Sequence, residues 1–108
     1  MLLSRQIPPI PLIGALVLAC ASHRALGPGS ALGPDQTLSI DATVRFDRTV
    51  EGGCWSLATT NGTYEPVDLP STFRVDGQPV HVALRDAPGW ASICMIAPLV
   101  HVASIQAR

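Results

Sequence analysis

A strict alternation of apolar and polar residues between Leu38 and Phe46 constrains the fold more than any other feature of the chain. Leucine, isoleucine, alanine, valine and phenylalanine occupy every second position there, with serine, aspartate, threonine and arginine between them. Because successive side chains of a β-strand point to opposite faces, this pattern predicts a half-buried strand. Arg48 interrupts the alternation and Val50 resumes it, which indicates a bulge or the end of the strand near residue 48.

Further strand-like segments follow, separated by turn-forming residues. We predict strands at 54–60, 63–68, 80–85 and 99–105, a helical turn at 69–74, and a connection at 90–96. Asn61-Gly62 tolerates the positive φ angles of a type I′ turn, so it predicts a tight hairpin. Pro66 cannot donate a ladder hydrogen bond, so its strand should lie at an edge or face outwards there.

Five strands with a helical segment between the third and the fourth is the strand order of the OB-fold, a small Greek-key barrel. We therefore predict an all-β domain over residues 37–108, built as a five-stranded OB-like Greek-key barrel with one short helical segment. A small β-sandwich or an open meander is the alternative. The barrel is favoured because closing a sheet removes its exposed edges.

The N-terminus has the composition of an export signal. One charge, Arg5, precedes an apolar stretch whose longest uninterrupted part is residues 12–19, well short of the about 20 residues that a membrane-spanning helix needs. The stretch ends in Val17-Leu18-Ala19-Cys20. This sequence resembles the bacterial lipobox: a branched apolar residue, then a small residue directly before a cysteine. The resemblance implies that residues 1–19 are a lipoprotein signal peptide and that Cys20 receives the lipid.

A lipid anchor at Cys20 would place the mature chain on the bacterial cell envelope, since two or more acyl chains bind a membrane stably. Ala21 follows the cysteine, a choice associated in Gram-negative lipoproteins with the outer membrane, so we predict an outer-membrane protein that faces the periplasm. Soluble secretion after cleavage at Ala21 and a buried core segment are the alternatives. Residues 20–36 are rich in glycine and proline, which predicts a flexible linker after the lipidated cysteine.

The two other cysteines, Cys54 and Cys94, lie in the predicted barrel. A chain exported to an oxidising compartment most simply pairs them in a disulfide. Two buried free thiols are the alternative.

Short motifs between Gly52 and Ile105 carry a second resemblance. They are Gly53-Cys54-Trp55, Asn61-Gly62, Tyr64-Glu65-Pro66, Leu69-Pro70, Phe73-Arg74, Asp76-Gly77 and Ser92-Ile93-Cys94-Met95. Together they resemble a group of small, mostly uncharacterised bacterial OB-fold lipoproteins. The resemblance implies the barrel fold and the envelope location.

Charge and motif content exclude several classes of function. The chain has 7 basic and 8 acidic residues, with a formal net charge of −1, which argues against a protein that binds nucleic acid by neutralising phosphates. It has no glycine-rich phosphate loop, no His-Glu-x-x-His sequence and no Cys-x-x-Cys pair. We therefore predict no catalytic activity and no cofactor.

Soft ligands for copper are the basis of one alternative function. His81, His101, Met95 and Cys94 carry nitrogen and sulfur donors of the kinds that copper binds. If the fourth and fifth strands pair, His81 and His101 could lie side by side. The sequence shows no tight ligand spacing, so no metal site is predicted, and an envelope copper-handling protein using His81, His101 and Met95 stays the alternative.

Aromatic side chains are the candidates for ligand contact, as on other barrels of this type. Trp55, Tyr64 and Phe73 could line a groove or build the core, and Trp90, in a Pro-Gly-containing connection, is the best candidate for an exposed aromatic. We take Trp55 and Trp90 as the possible ligand-binding residues. The predicted function is a membrane-anchored envelope protein whose barrel binds a protein or saccharide partner.

Overall fold

The computed structural model describes residues 27–92 and 94–108, so the predicted signal peptide, Cys20 and the first part of the predicted linker lie outside the described residues. The described part is an all-β domain, as predicted. Its elements are β1 (Thr37–Asp47), β2 (Cys54–Thr59), β3 (Gly62–Pro66), a 3₁₀ turn (Ser71–Phe73), β4 (Pro79–Asp86) and β5 (Leu99–Ala107).

The five strands form a closed barrel in the order β1-β2-β3-β5-β4, and β1 closes it by pairing with β4. The β3–β5 pair is parallel and the other pairs are antiparallel. The 3₁₀ turn lies between β3 and β4. This arrangement is the OB-like Greek-key barrel that the order of elements predicts.

The first strand, β1, is long enough to pair with both of its neighbours, β4 and β2. Residues 37–43 pair with β4 and residues 43–47 pair with β2. The strand ends at Asp47, where the Asp47 carboxylate accepts hydrogen bonds from the backbone N–H and the hydroxyl of Thr49. The break in the alternation at Arg48 is therefore the end of the strand, one of the two outcomes that the sequence predicts.

The apolar faces of the strands meet inside the barrel. Val44 lies opposite Leu57, and Leu57 lies opposite Tyr64, all three fully buried. The other buried members of this core are Leu32, Ala42, Leu69, Val80, Val82, Leu84 and Val100. Burying one large apolar side chain contributes about 1.5–3 kcal/mol, so this cluster is the main source of stability.

Pro66 occupies a position where no ladder hydrogen bond is lost. The N–H groups of Glu65 and Val67 on either side of it donate to Pro98 and Val100 next to or within β5. The proline nitrogen therefore faces the opposite side, beyond the last β2–β3 pair, Leu57 with Tyr64. Pro66 is therefore compatible with a closed barrel, because the hydrogen bonds to the β5 side come from the N–H groups of Glu65 and Val67.

The hairpin between β2 and β3 forms as predicted, but the prediction of a type I′ turn at Asn61-Gly62 is wrong. Thr59 pairs with Gly62, so the loop residues are Thr60 and Asn61. Gly62 has a φ of 105°, and among the described residues the non-glycine residue with a positive φ is Met95. A type I′ turn needs a positive φ at both central positions, and Asn61 does not supply one.

Residues 27–32, part of the segment interpreted as a linker, lie against the barrel. The backbone of Gly27 and Gly29 exchanges hydrogen bonds with Thr63 on β3 at 2.9 and 2.7 Å. The Tyr64 hydroxyl donates to the carbonyl of Ser30, and Leu32 is buried in the core. The flexible linker is expected over residues 20–36, and residues 20–26 of it lie outside the described residues.

Candidate functional site

A disulfide joins Cys54 at the start of β2 to Cys94 in the connection between β4 and β5, which confirms the predicted pairing. The two Cα atoms are 6.1 Å apart, within the usual range for such a bond. Cys54 is buried. Since β2 is part of the barrel wall, the bond fixes the middle of a long connection to a rigid element.

A buried carboxylate fixes the same connection at a second point. Glu65 points outwards from β3, yet it is only 8% exposed because the connection covers it. The Ser92 hydroxyl donates to Glu65 Oε1 at 2.6 Å, and the Met95 N–H donates to Ser92 Oγ at 2.6 Å. A buried carboxylate is costly unless it is hydrogen-bonded, so Ser92 has a structural role in holding the connection down.

This connection forms one wall of an open groove of about 540 Å³. The lining residues are Pro28, Trp90, Ser92, Met95, Ile96, Ala97, Pro98 and Leu99. Trp90 is 56% exposed and Met95 is 83% exposed. Residues 87–107 contain no Asp, Glu, Lys or Arg, so the groove is apolar and uncharged.

Met95 is held in an unusual backbone conformation at this groove. Its φ is 55°, in the left-handed region, which costs a residue with a side chain about 1–2 kcal/mol. The hydrogen bond from its N–H to Ser92 and the disulfide at the preceding residue maintain this conformation. Such strain is more common at functional positions than elsewhere.

A polar pair lies beside Trp90. The rings of Trp90 and His101 meet edge to face, with centroids 5.9 Å apart. His101 Nδ1 is 3.1 Å from Asp68 Oδ2, and the Val102 N–H donates to Asp68 Oδ1 at 2.8 Å. The exposed indole therefore contacts the His101 ring and also lines the apolar groove.

The other predicted ligand-binding residue, Trp55, lies elsewhere. Its ring packs on Phe46 with centroids 4.6 Å apart, and it contacts the core cluster. Arg48 lies 5.3 Å from the centre of the Phe46 ring. The structure therefore does not bring Trp55 and Trp90 into one site. Tyr64 is fully buried, which fits the core interpretation of the aromatics.

The register of β4 and β5 is incompatible with the copper arrangement expected from the sequence. The two strands pair, but His81 lies opposite Gln106 and His101 lies opposite Arg85. The histidines are thus about 13 Å apart along the strands at about 3.3 Å per residue. The expectation that they lie side by side is wrong, and Cys94 has no thiolate to offer because it is in the disulfide.

His81 instead takes part in a polar cluster on the outer face of the barrel. Its Nδ1 is 2.7 Å from Asp41 Oδ1, and its Nε2 is 2.9 Å from Ser39 Oγ. The hydrogen bond with His81 is the main cause that lowers the pKa of Asp41. Desolvation opposes it, and the charges of Arg108 and His81 add to the lowering. Among the described residues, no group of three or more His, Cys, Asp and Glu side chains is placed to hold a metal ion.

No protein-family model matches the chain, and no curated protein or solved structure matches it either. In the described part of the chain, no helix has the length and apolar character that crossing a membrane requires.

Three parts of the groove were not predicted from the sequence: Pro28, Met95 and residues 96–99. Pro28 reaches the groove through its bridge to Thr63 on β3, a contact between segments far apart in sequence. The absence of charge across residues 87–107 was the available signal, because an exposed connection is normally polar.

Proposed function

We propose that this chain is an exported protein, anchored to the bacterial envelope by lipid on Cys20, that binds a neutral envelope saccharide in the groove beside Trp90. The observation that carries the proposal is an exposed tryptophan on an uncharged connection that the Cys54–Cys94 disulfide fixes to the barrel. Fixing a loop before binding lowers the entropy that the complex must lose.

The disulfide supports export, because such bonds form and persist in oxidising compartments. The lipobox resemblance at residues 17–20 supports an envelope anchor, with Ala21 favouring the outer membrane on the periplasmic side. Eight residue steps separate Cys20 from Pro28, which span at most about 28 Å at about 3.5 Å per residue. An anchored chain would therefore hold the groove near the membrane surface.

The chemistry of the groove favours a saccharide over other ligands. One face of a pyranose ring carries C–H groups that can pack on the Trp90 indole, which combines apolar area with low flexibility. Sugar hydroxyls could bond to Asp68 and His101 beside it. The lack of basic residues in the groove disfavours nucleic acid, and loops of OB barrels, including the one before the fifth strand, bind oligosaccharides in other proteins.

The two tryptophans of the chain allow a direct binding test. The Trp55→Phe variant leaves Trp90 as the single indole, and Trp90→Phe leaves Trp55. We expect chitotetraose, a neutral oligosaccharide, to change the emission of the Trp55→Phe protein with a Kd of about 0.1–1 mM, or about −5.5 to −4 kcal/mol. The Trp90→Phe protein should show no saturable change.

Two results would count against this proposal. An unchanged Trp90 emission with chitotetraose and with other neutral oligosaccharides would exclude a neutral saccharide as the ligand of the groove. Capture of an envelope protein by the wild type, lost in Trp90→Ala and retained in Trp55→Phe, would assign the groove to a protein partner instead.

A further inference from the structure

Three side chains on the outer face of the barrel form a continuous hydrogen-bonded chain. Ser39 Oγ lies 2.9 Å from His81 Nε2, and His81 Nδ1 lies 2.7 Å from Asp41 Oδ1. Ser39 and Asp41 lie on β1 and His81 lies on β4. The β1–β4 register creates the cluster, since Asp41 is paired directly with His81.

The order of these groups is the one in which a serine can be activated for nucleophilic attack. A carboxylate that accepts the Nδ1 proton of histidine leaves Nε2 as the acceptor of the serine hydroxyl proton. Both distances needed for this role, from nucleophile to base and from base to orienting carboxylate, are within hydrogen-bond reach. Arg108 Nη1, 3.6 Å from Asp41 Oδ2, favours the ionised carboxylate.

The residue that pairs with Ser39 across the strands has a small side chain. Ala83 lies directly opposite Ser39 and is the small residue between His81 and Arg85 on the outward face of β4. Arg85 is exposed and diagonal to Ser39, a relation that puts Cβ atoms about 7–8 Å apart. The Arg85 guanidinium carries five N–H donors on a long side chain. It could therefore donate hydrogen bonds to a negatively charged carbonyl oxygen formed above Ala83.

We propose that Ser39 is the nucleophile of an acyl-transfer site, with His81 as its base, Asp41 as the residue that positions His81, and Arg85 as the group that stabilises the oxyanion. This activity goes beyond the proposed binding function and uses a different part of the barrel. The His81 and Asp41 side chains are 39% and 59% exposed, so the site suits a small acyl ester presented from solvent, such as an acetyl group on a larger alcohol.

The reaction balances with the ester and water alone. Ser39 Oγ bonds to the carbonyl carbon while its proton moves to His81 Nε2, and the carbonyl oxygen becomes negative beside Arg85. The C–O bond to the alcohol breaks, and the leaving oxygen takes the proton from His81. Water then attacks the acyl-serine by the same route, which releases the carboxylic acid and restores the Ser39 hydroxyl.

Covalent labelling of the full-length protein tests the proposal residue by residue. A fluorophosphonate probe forms a stable bond to an activated serine, and peptide mass spectrometry locates it. We expect the label on Ser39, no label in Ser39→Ala, and labelling slowed by at least about tenfold in His81→Gln, because a positioned base contributes about 10²–10⁴-fold. Hydrolysis of p-nitrophenyl acetate should fall in the same variants and in Arg85→Gln.

Ser104→Ala is the matched control, because Ser104 is exposed on β5 and lies opposite Ala83 on the same outer face. It should be labelled at Ser39 as fast as the wild type. Asp41→Asn should slow labelling, and Asp41→Glu should recover part of the rate, which a merely structural role would not require. A label on another serine, no label at all, or equal labelling of wild type and His81→Gln overturns the proposal.

Discussion

Replacing both Cys54 and Cys94 by alanine will lower the free energy of unfolding by about 2–5 kcal/mol. The disulfide closes a loop with a sequence separation of 40, for which the chain-entropy relation gives about 4 kcal/mol. A small domain has only about 5–15 kcal/mol of stability in total, so this loss is a large fraction. The connection would also lose its covalent attachment to β2, and with it the fixed position of Trp90.

Urea unfolding of the oxidised wild type, the reduced wild type and the double alanine variant measures this effect. The midpoints of the reduced protein and the variant should agree with each other and lie well below that of the oxidised protein. Cys20→Ser is the control for a cysteine outside the barrel and should unfold like the oxidised wild type. A double variant as stable as the oxidised protein would show that the bond is incidental.

Gly29→Ala will destabilise the domain by about 1–3 kcal/mol, the usual cost of forcing an extra group into a packed region. A Cβ on Gly29 would lie 2.3 Å from Cζ of the Tyr64 ring. Tyr64 is fully buried, and its hydroxyl bonds to the carbonyl of Ser30, so the ring has no free space to move into. The new methyl group should push residues 29–32 away from the barrel.

Gly27→Ala is the matched control two residues earlier, because nothing lies within 4 Å of a Cβ built there. Urea unfolding should give a midpoint for Gly27→Ala close to that of the wild type and a clearly lower one for Gly29→Ala. Equal midpoints for the two variants would mean that residues 29–32 do not pack on the barrel as the structure shows.

The strand order could be predicted because each strand carries a local signal. The alternation in β1 and the turn residues around β2 and β3 depend only on near neighbours in sequence. The bounds of β1 and the barrel topology follow from these signals and from the need to close sheet edges. Asn61-Gly62 indicated the hairpin correctly, but the loop residues are Thr60 and Asn61. Gly62 is the first residue of β3 and packs on the Gly29 backbone.

The features that could not be predicted all depend on contacts between distant segments. Glycine and proline in residues 27–36 indicate turns but not the surface on which they pack, so the contact of Pro28 with Thr63 had no local signal. The Ser39–His81–Asp41 chain joins positions about forty residues apart, and only the register of β1 with β4 brings them together. The register of β4 with β5 likewise separates His81 from His101.

The anchor at Cys20 is the central claim about where this protein acts, and metabolic labelling with a palmitate analogue in a bacterial host tests it most directly. The account predicts label on the wild type and on the Cys54→Ala/Cys94→Ala protein, and none on Cys20→Ser. The wild type should also fractionate with membranes, and the Cys20→Ser protein should not. Absence of label from the wild type, or labelling that survives Cys20→Ser, would contradict the account.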